Sequence, residues 1–222
     1  MIKIPSDMVT GCVHETISYG SLTVVKYINA HKVFVQFTST KFTTWTRSDH
    51  VRDGRVKDQL HPFVCGVGFM GVGDYSRIAN PKTYRIWNSM LSRCYSEKEQ
   101  LKCPTYIGCS VTKEWHNFQN FAQWYNDNYP VGKDNYQLDK DIKIKGNKVY
   151  GPDTCLFVSH RDNMIEAQAK HYTFKSPEGV VVNVYNLEAF CRDNNLTPQG
   201  MGVVHSGKQS NHKGWTKWEV EK

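Results

Sequence analysis

Apolar and polar positions alternate through "SLTVVKYI" (Ser21–Ile28) and "VFVQFTSTKFTTW" (Val33–Trp45), with the turn residues "NAHK" between them. A period of two, rich in β-branched and aromatic residues, predicts a small antiparallel sheet. The period then changes. In "KTYRIWNSMLSRCY", Tyr84, Trp87, Leu91 and Cys94 recur at helical spacing, and in "NFQNFAQWYND" Phe118, Phe121 and Trp124 or Tyr125 share one side. Two helices follow, whose aromatic stripes are read as core before they are read as base-stacking platforms. Between them, "KCPTYIGCSVTKEW" reads as loop and a short strand.

Further on, "YQLDKDI" alternates as a strand and "CLFV" is a short apolar run able to pair with it across the loop "KIKGNKVYGPDT". Ser159 stands at an N-cap position with Asp162 three residues later, which predicts a helix from about His160 to Lys170. Strand, loop, strand and helix bring Asp139 towards Asn163, and a carboxylate with a side-chain amide is a hard oxygen pair suited to magnesium or manganese. The last fifty residues change again. A proline-glycine turn joins two short strands, "NLEAFCRDN" forms a helix with Leu187 and Phe190 inward, and Thr197 and Pro198 open a second short helix as N-cap and first helical residue. Two short helices across a tight polar turn have helix-turn-helix geometry. Gln199, His205, Lys208, Gln209, Asn211, His212 and Lys213 then supply candidate phosphate and base contacts; a basic solvated helix pair is the plain alternative.

The pattern predicts an α+β fold in three modules: a β-rich module at 1–75, a ββα domain with flanking helices at 76–172, and a helix-turn-helix with a short hairpin at 173–222. The glycine-rich "GVGFMGVGDYS" lacks the spacing of a phosphate-binding loop and reads as a connector whose backbone needs room to bend. Charge adds a partner. With 28 Lys and Arg against 21 Asp and Glu, the 222 residues carry a formal +7, which favours a polyanion such as double-stranded DNA. The first residues, "MIKIPSDMVTGC", lack a signal peptide's apolar stretch and no run approaches a membrane span, so the expected location is the cytoplasm, with no membrane partner. The seven cysteines include no C-x-x-C pair. Buried thiols are therefore expected in preference to a structural zinc on Cys94, Cys103, Cys109 and Cys155.

The stretch from Leu138 to Asn163 resembles the HNH, or ββα-metal, nuclease motif in its phage and mobile-intron form, where an Asp-His pair precedes an Asn-rich loop, a P-E-N-L turn and a closing Asn. By position, Asp139 matches the metal-ligand Asp, "PDTC" at Pro152–Cys155 the turn, and Asn163 the last ligand. "W-x-x-M-L-x-R-C-Y" at Trp87–Tyr95 and "V-x-x-E-W-x-x-F-x-x-F" at Val111–Phe121 resemble the upstream region of such proteins. The C-terminal "NLEAFCRDNNL…GKQSNHKGW" is similar to the NUMOD-type helix-turn-helix modules of homing endonucleases. The resemblance implies a DNA endonuclease with one divalent metal on Asp139 and Asn163, in the host cytoplasm if phage-encoded. Two positions depart from it. Lys140 replaces the general-base His, and the central Asn of the loop falls near Tyr150. An ammonium has no lone pair to take a proton from water, so Lys140 is a candidate base only where burial or neighbouring cations discharge it, and otherwise a candidate phosphate clamp; Asp141, expected on the same strand face as Asp139, is a candidate second metal ligand or replacement base, and His160 a further candidate base. An inactive DNA-binding protein on the same frame, a regulator or packaging accessory, is the alternative, and a protein-interaction module a third.

Overall fold

A computed structural model describes residues 3–132, 136–159 and 170–218. The architecture is α+β. Strands β1 (Val13–Glu15), β2 (Ser21–Asn29), β3 (Lys32–Phe37) and β4 (Thr43–Thr46) form an antiparallel sheet in the order β1-β2-β3-β4. Val24 faces Val35 and Phe34 faces Trp45 across the ladders, with an irregularity between Val24 and Lys26. The alternating residues Leu22, Val24, Val33, Val35 and Phe37 are fully buried on one face. Met8, Val56 and Val51 of the short helix α1 (Ser48–Arg52) complete that core.

Helix α2 (Pro81–Tyr95) begins with proline at its first turn, where no amide partner is lost. It buries Thr83, Trp87, Met90, Leu91 and Cys94. Then come α3 (Glu97–Lys102), the two-residue β5 (Ser110–Val111), α4 (Lys113–His116) and α5 (Phe118–Asn128). The aromatic stripes are core: Trp87, Trp115, Phe118 and Phe121 are fully buried, and the Trp87 indole donates to the Trp115 carbonyl at 2.7 Å. The glycine-rich stretch is packed against the same elements. A Cβ on Gly68 would strike Leu91 and Trp87, and one on Gly71, whose φ is +71°, would strike Asn117. Gln119 fixes this segment by donating to the carbonyls of Met70 (2.9 Å) and Tyr75 (3.0 Å) and accepting from the Tyr75 amide (3.0 Å).

Strands β6 (Tyr136–Asp139) and β8 (Leu156–Ser159) pair with each other, whereas β7 (Val149–Tyr150) leaves the loop between them to pair in parallel with β5. The helix expected from about His160 falls largely on residues 160–169, outside the described residues. The C-terminal segment contains β9 (Tyr172–Lys175), β10 (Val181–Val184), α6 (Leu187–Asp193), α7 (Pro198–His205), β11 (Asn211–His212) and β12 (Trp215–Lys217). Its sheet order is β10-β9-β12-β11. Phe174, Val184, Cys191, Leu196, Met201 and Val204 form the core, with Leu187 and Phe190 packed against it. The chain divides into two compact units, Met1–Tyr129 with Lys143–Leu156, and Pro130–Ile142 with Phe157–Lys222. No helix among the described residues is long and apolar enough to cross a membrane.

Candidate functional site

Pairing of β6 with β8 carries Asp139 to the end of a strand. There the carboxylate turns the chain. Its Oδ1 accepts the backbone N–H groups of Asp141 and Ile142, both at 2.7 Å, in the manner of an Asx turn. Strand geometry therefore stops at Asp139, and the alternation that would have put Asp141 on the same face does not reach it. The other carboxylate oxygen of Asp139 has no protein partner among the described residues.

Lys140 lies in a setting its charge does not favour. Its side chain is 7% exposed, and its ammonium donates to Asp141 Oδ2 at 2.5 Å, while the Asp141 side chain is 48% exposed. A buried cation needs such a partner, since removing one member strands the other charge in a poorly solvated place. The same bond occupies one oxygen of Asp141. His160 and Asn163 lie outside the described residues.

Tyr150, at the place of the loop's central Asn, is 2% exposed and pairs across β5 opposite Val111. Burial pushes its phenol well above the usual range, and Arg93 hydrogen-bonds the side chain. It is a packing residue held as a neutral phenol. Cys94, Cys109 and Cys155 are buried and Cys103 is exposed, and no disulfide joins any of the seven cysteines among the described residues. Among the described residues no group of three or more His, Cys, Asp or Glu side chains could hold a metal ion. The donors near the end of β6 are the Asp139 and Asp141 carboxylates, hard oxygens whose chemistry fits a divalent cation of the magnesium type.

The helix-turn-helix is built from two side-chain caps. Asn186 accepts the Ala189 amide at 3.0 Å, and Thr197 accepts the Gly200 amide at 3.3 Å above the first-turn proline. Asn195 turns the chain between the helices with φ of 54°. Gln199 is exposed near the start of α7, and Lys208, Gln209, Asn211 and Lys213 are exposed after it. Gln209 donates to the Asn211 carbonyl at 2.6 Å, and Lys213 donates to the Asn195 carbonyl at 2.7 Å. His205 points elsewhere. Its ring meets Tyr172 and Phe174 edge-on at 4.8 and 6.2 Å between centroids, and its Nδ1 is buried without a hydrogen-bond partner among the described residues. His212 braces the second helix: its Nε2 lies 3.3 Å from the Thr197 amide and 3.2 Å from its hydroxyl.

Three residues outside the sequence-based candidates also gather. Arg77, Arg85 and Arg93 line one groove beside α2. Their regular spacing of eight positions is the sequence signal for this row, set beside the stronger aromatic stripe on the buried face of the same helix. Comparisons with protein-family models, with curated proteins and with solved structures found no match.

Proposed function

We propose that the chain is a metal-dependent DNA endonuclease of the HNH type, brought to duplex DNA by its C-terminal helix-turn-helix. One observation carries this reading: the paired strands β6 and β8 end in a carboxylate, Asp139, that is fixed through one oxygen by two backbone amides and has its second oxygen left over among the described residues. Such a group is preorganised, because its orientation is set before any ligand arrives. A divalent cation held by Asp139, with Asp141 beside it, supplies Lewis-acid stabilisation of the phosphate charge.

The protein's own groups divide the remaining work. Asp141 is half exposed and can accept a proton from water, but only with the oxygen that Lys140 does not occupy. Lys140, with its charge satisfied by Asp141, neutralises that neighbour and is spent as a phosphate clamp while the pair stays closed. In the C-terminal module Lys208, exposed, makes phosphate contacts, and Gln199, Gln209 and Asn211 offer amides to phosphates or base edges. His205 supports the fold under α7, and Lys213 secures the inter-helix turn.

A second reading is favoured by the Lys140–Asp141 pair itself: a protein that binds DNA without cutting it, because an ammonium stands where the resembled motif has its base. Incubating supercoiled plasmid with the protein in magnesium, manganese or EDTA separates the two. The nuclease reading expects metal-dependent nicking or linearisation that falls at least about 100-fold in Asp139→Ala, the scale of losing preorganised electrostatic stabilisation. Salt-sensitive binding with no cleavage on any substrate would replace it with the second reading.

A further inference from the structure

Along the solvent side of α2 runs an open groove of about 920 Å³. Three arginines line it. Arg85 and Arg93 stand eight residues apart on the helix, a rise of about 12 Å at 1.5 Å per residue. Arg77 extends the row just before the helix begins. The guanidinium groups of Arg77 and Arg93 are set against tyrosine rings, at 5.7 Å from the Tyr84 centroid and 5.3 Å from the Tyr106 centroid. Arg93 is also steadied from behind by Tyr150. Packed in this way, arginines keep their forks in place without being neutralised.

The groove carries three cations against one acid, Glu99, whose carboxyl is held below its ordinary range by Lys102 first and by the more distant charge of Arg93. None of the three arginines makes an ion pair with an acidic side chain among the described residues. The acid in the lining, Glu99, is already bonded to Lys102 at 2.8 Å. Alongside the arginines the lining offers short neutral side chains, Asn88, Ser89 and Ser96. This is the chemistry of a phosphate track, in which guanidinium groups meet charged oxygens and hydroxyls or amides complete their hydrogen bonds. An isolated small anion would need one tight cradle. A row about 12 Å long matches instead a repeating polyanion, whose charges recur about every 3.4 Å of axis per strand.

We infer that this groove seats the phosphate backbone of one strand of the DNA duplex, as a contact surface separate from the helix-turn-helix residues. The inference rests on the reading of DNA as the partner and adds where on the chain a second group of phosphate contacts is made. Arg77 and Arg85 are exposed and form no structural hydrogen bond among the described residues, so they are the residues to alter.

The test is fluorescence anisotropy of a labelled duplex in EDTA, from about 50 to 200 mM salt, where phosphate contacts dominate the salt dependence. The proteins compared are the wild type, the Arg77→Gln/Arg85→Gln double variant, Arg85→Lys and Lys208→Gln. The double variant is expected to bind at least about 10-fold more weakly at the higher salt. Its log-log slope should be shallower by about 1.8, since each phosphate contact contributes about 0.9. Arg85→Lys keeps the charge and should retain the wild-type slope. A double variant that melts with the wild type and matches its affinity and slope overturns the groove while leaving the DNA-binding reading in place. A wild type that shows no salt-dependent binding overturns both.

Discussion

The N-terminal sheet joins strands that follow one another in the chain, β1-β2-β3-β4, whereas the C-terminal sheet, β10-β9-β12-β11, closes only when Thr216 meets Lys175. Both are four-stranded and antiparallel, and each packs one apolar face on its own core. Their routes differ. The first is a meander whose turns each span a few residues, so every ladder is closed by a local connection. In the second, two helices are inserted between β10 and β11, and the helix-turn-helix becomes the filling between the first pair of strands and the last. A helix pair mounted in this way is held at both ends. Its own packing surface is small, and the sheet on either side makes up the deficit.

The largest test of this comparison removes one fully buried ring from each core. Phe37→Ala and Phe174→Ala should each cost about 3–5 kcal/mol in urea titrations, since both rings have no exposed surface. Hydrogen exchange should show lost protection in β2–β4 for the first. For the second, α6 and α7 should lose protection together with β9, because the helices share that ring's core. A loss confined to β9 and β10 would show that the helices stand without the sheet.

Next come the turns. Gly214, with φ of +84°, closes β11 onto β12 beside Lys213 at φ of 52°, and an added Cβ would lie 2.9 Å from the Pro177 ring. Gly214→Ala should cost about 1–3 kcal/mol, from strain and the displaced ring together. Gly20, between β1 and β2, has φ of +72° and open space around it, so Gly20→Ala should cost only about 1 kcal/mol. Thermal melts of the two variants measure the difference.

Thr197→Ala removes the α7 cap and the hydroxyl that faces His212, for an expected loss of about 0.5–2 kcal/mol. The smallest effect is in acid. The Arg52 guanidinium holds the Asp7 carboxyl below its ordinary range, and the Ser176 hydroxyl does the same for Glu178 in the β9–β10 turn. A lowered folded value means that each contribution is present above the ordinary carboxylate range and disappears as pH falls through the lowered value. Asp7→Asn and Glu178→Gln should therefore melt below wild type at neutral pH and converge on it in acid.

These contrasts also explain what was legible in the sequence. Alternation in 21–45 and helical spacing in 82–95 and 117–127 were strong because each element buries a long single face. The cap at Thr197 could be read because it acts on its own helix. The short strand expected in 102–115 is β5, but its partner was not legible: β5 and β7 find each other through a parallel pairing 39 positions apart, Ser110 with Val149, and no local period announces it. β11 and β12 lie where only candidate phosphate and base contacts were expected, although Lys213-Gly214 carries the two positive φ values of a tight hairpin turn. At the candidate site the strand ending in Asp139 was readable. The position of Asp141 was not, because the Asp139 side chain itself ends the strand there.

Gln119 has a bearing on synthesis as well. Its amide fastens Met70 and Tyr75, yet it leaves the ribosome 46 residues after Gly73. At about 5–20 residues per second, the glycine-rich segment waits about 2–9 s for its clasp. During that interval the N-terminal meander already holds every strand it needs, so nascent chains should contain a finished sheet followed by an unfastened glycine tether.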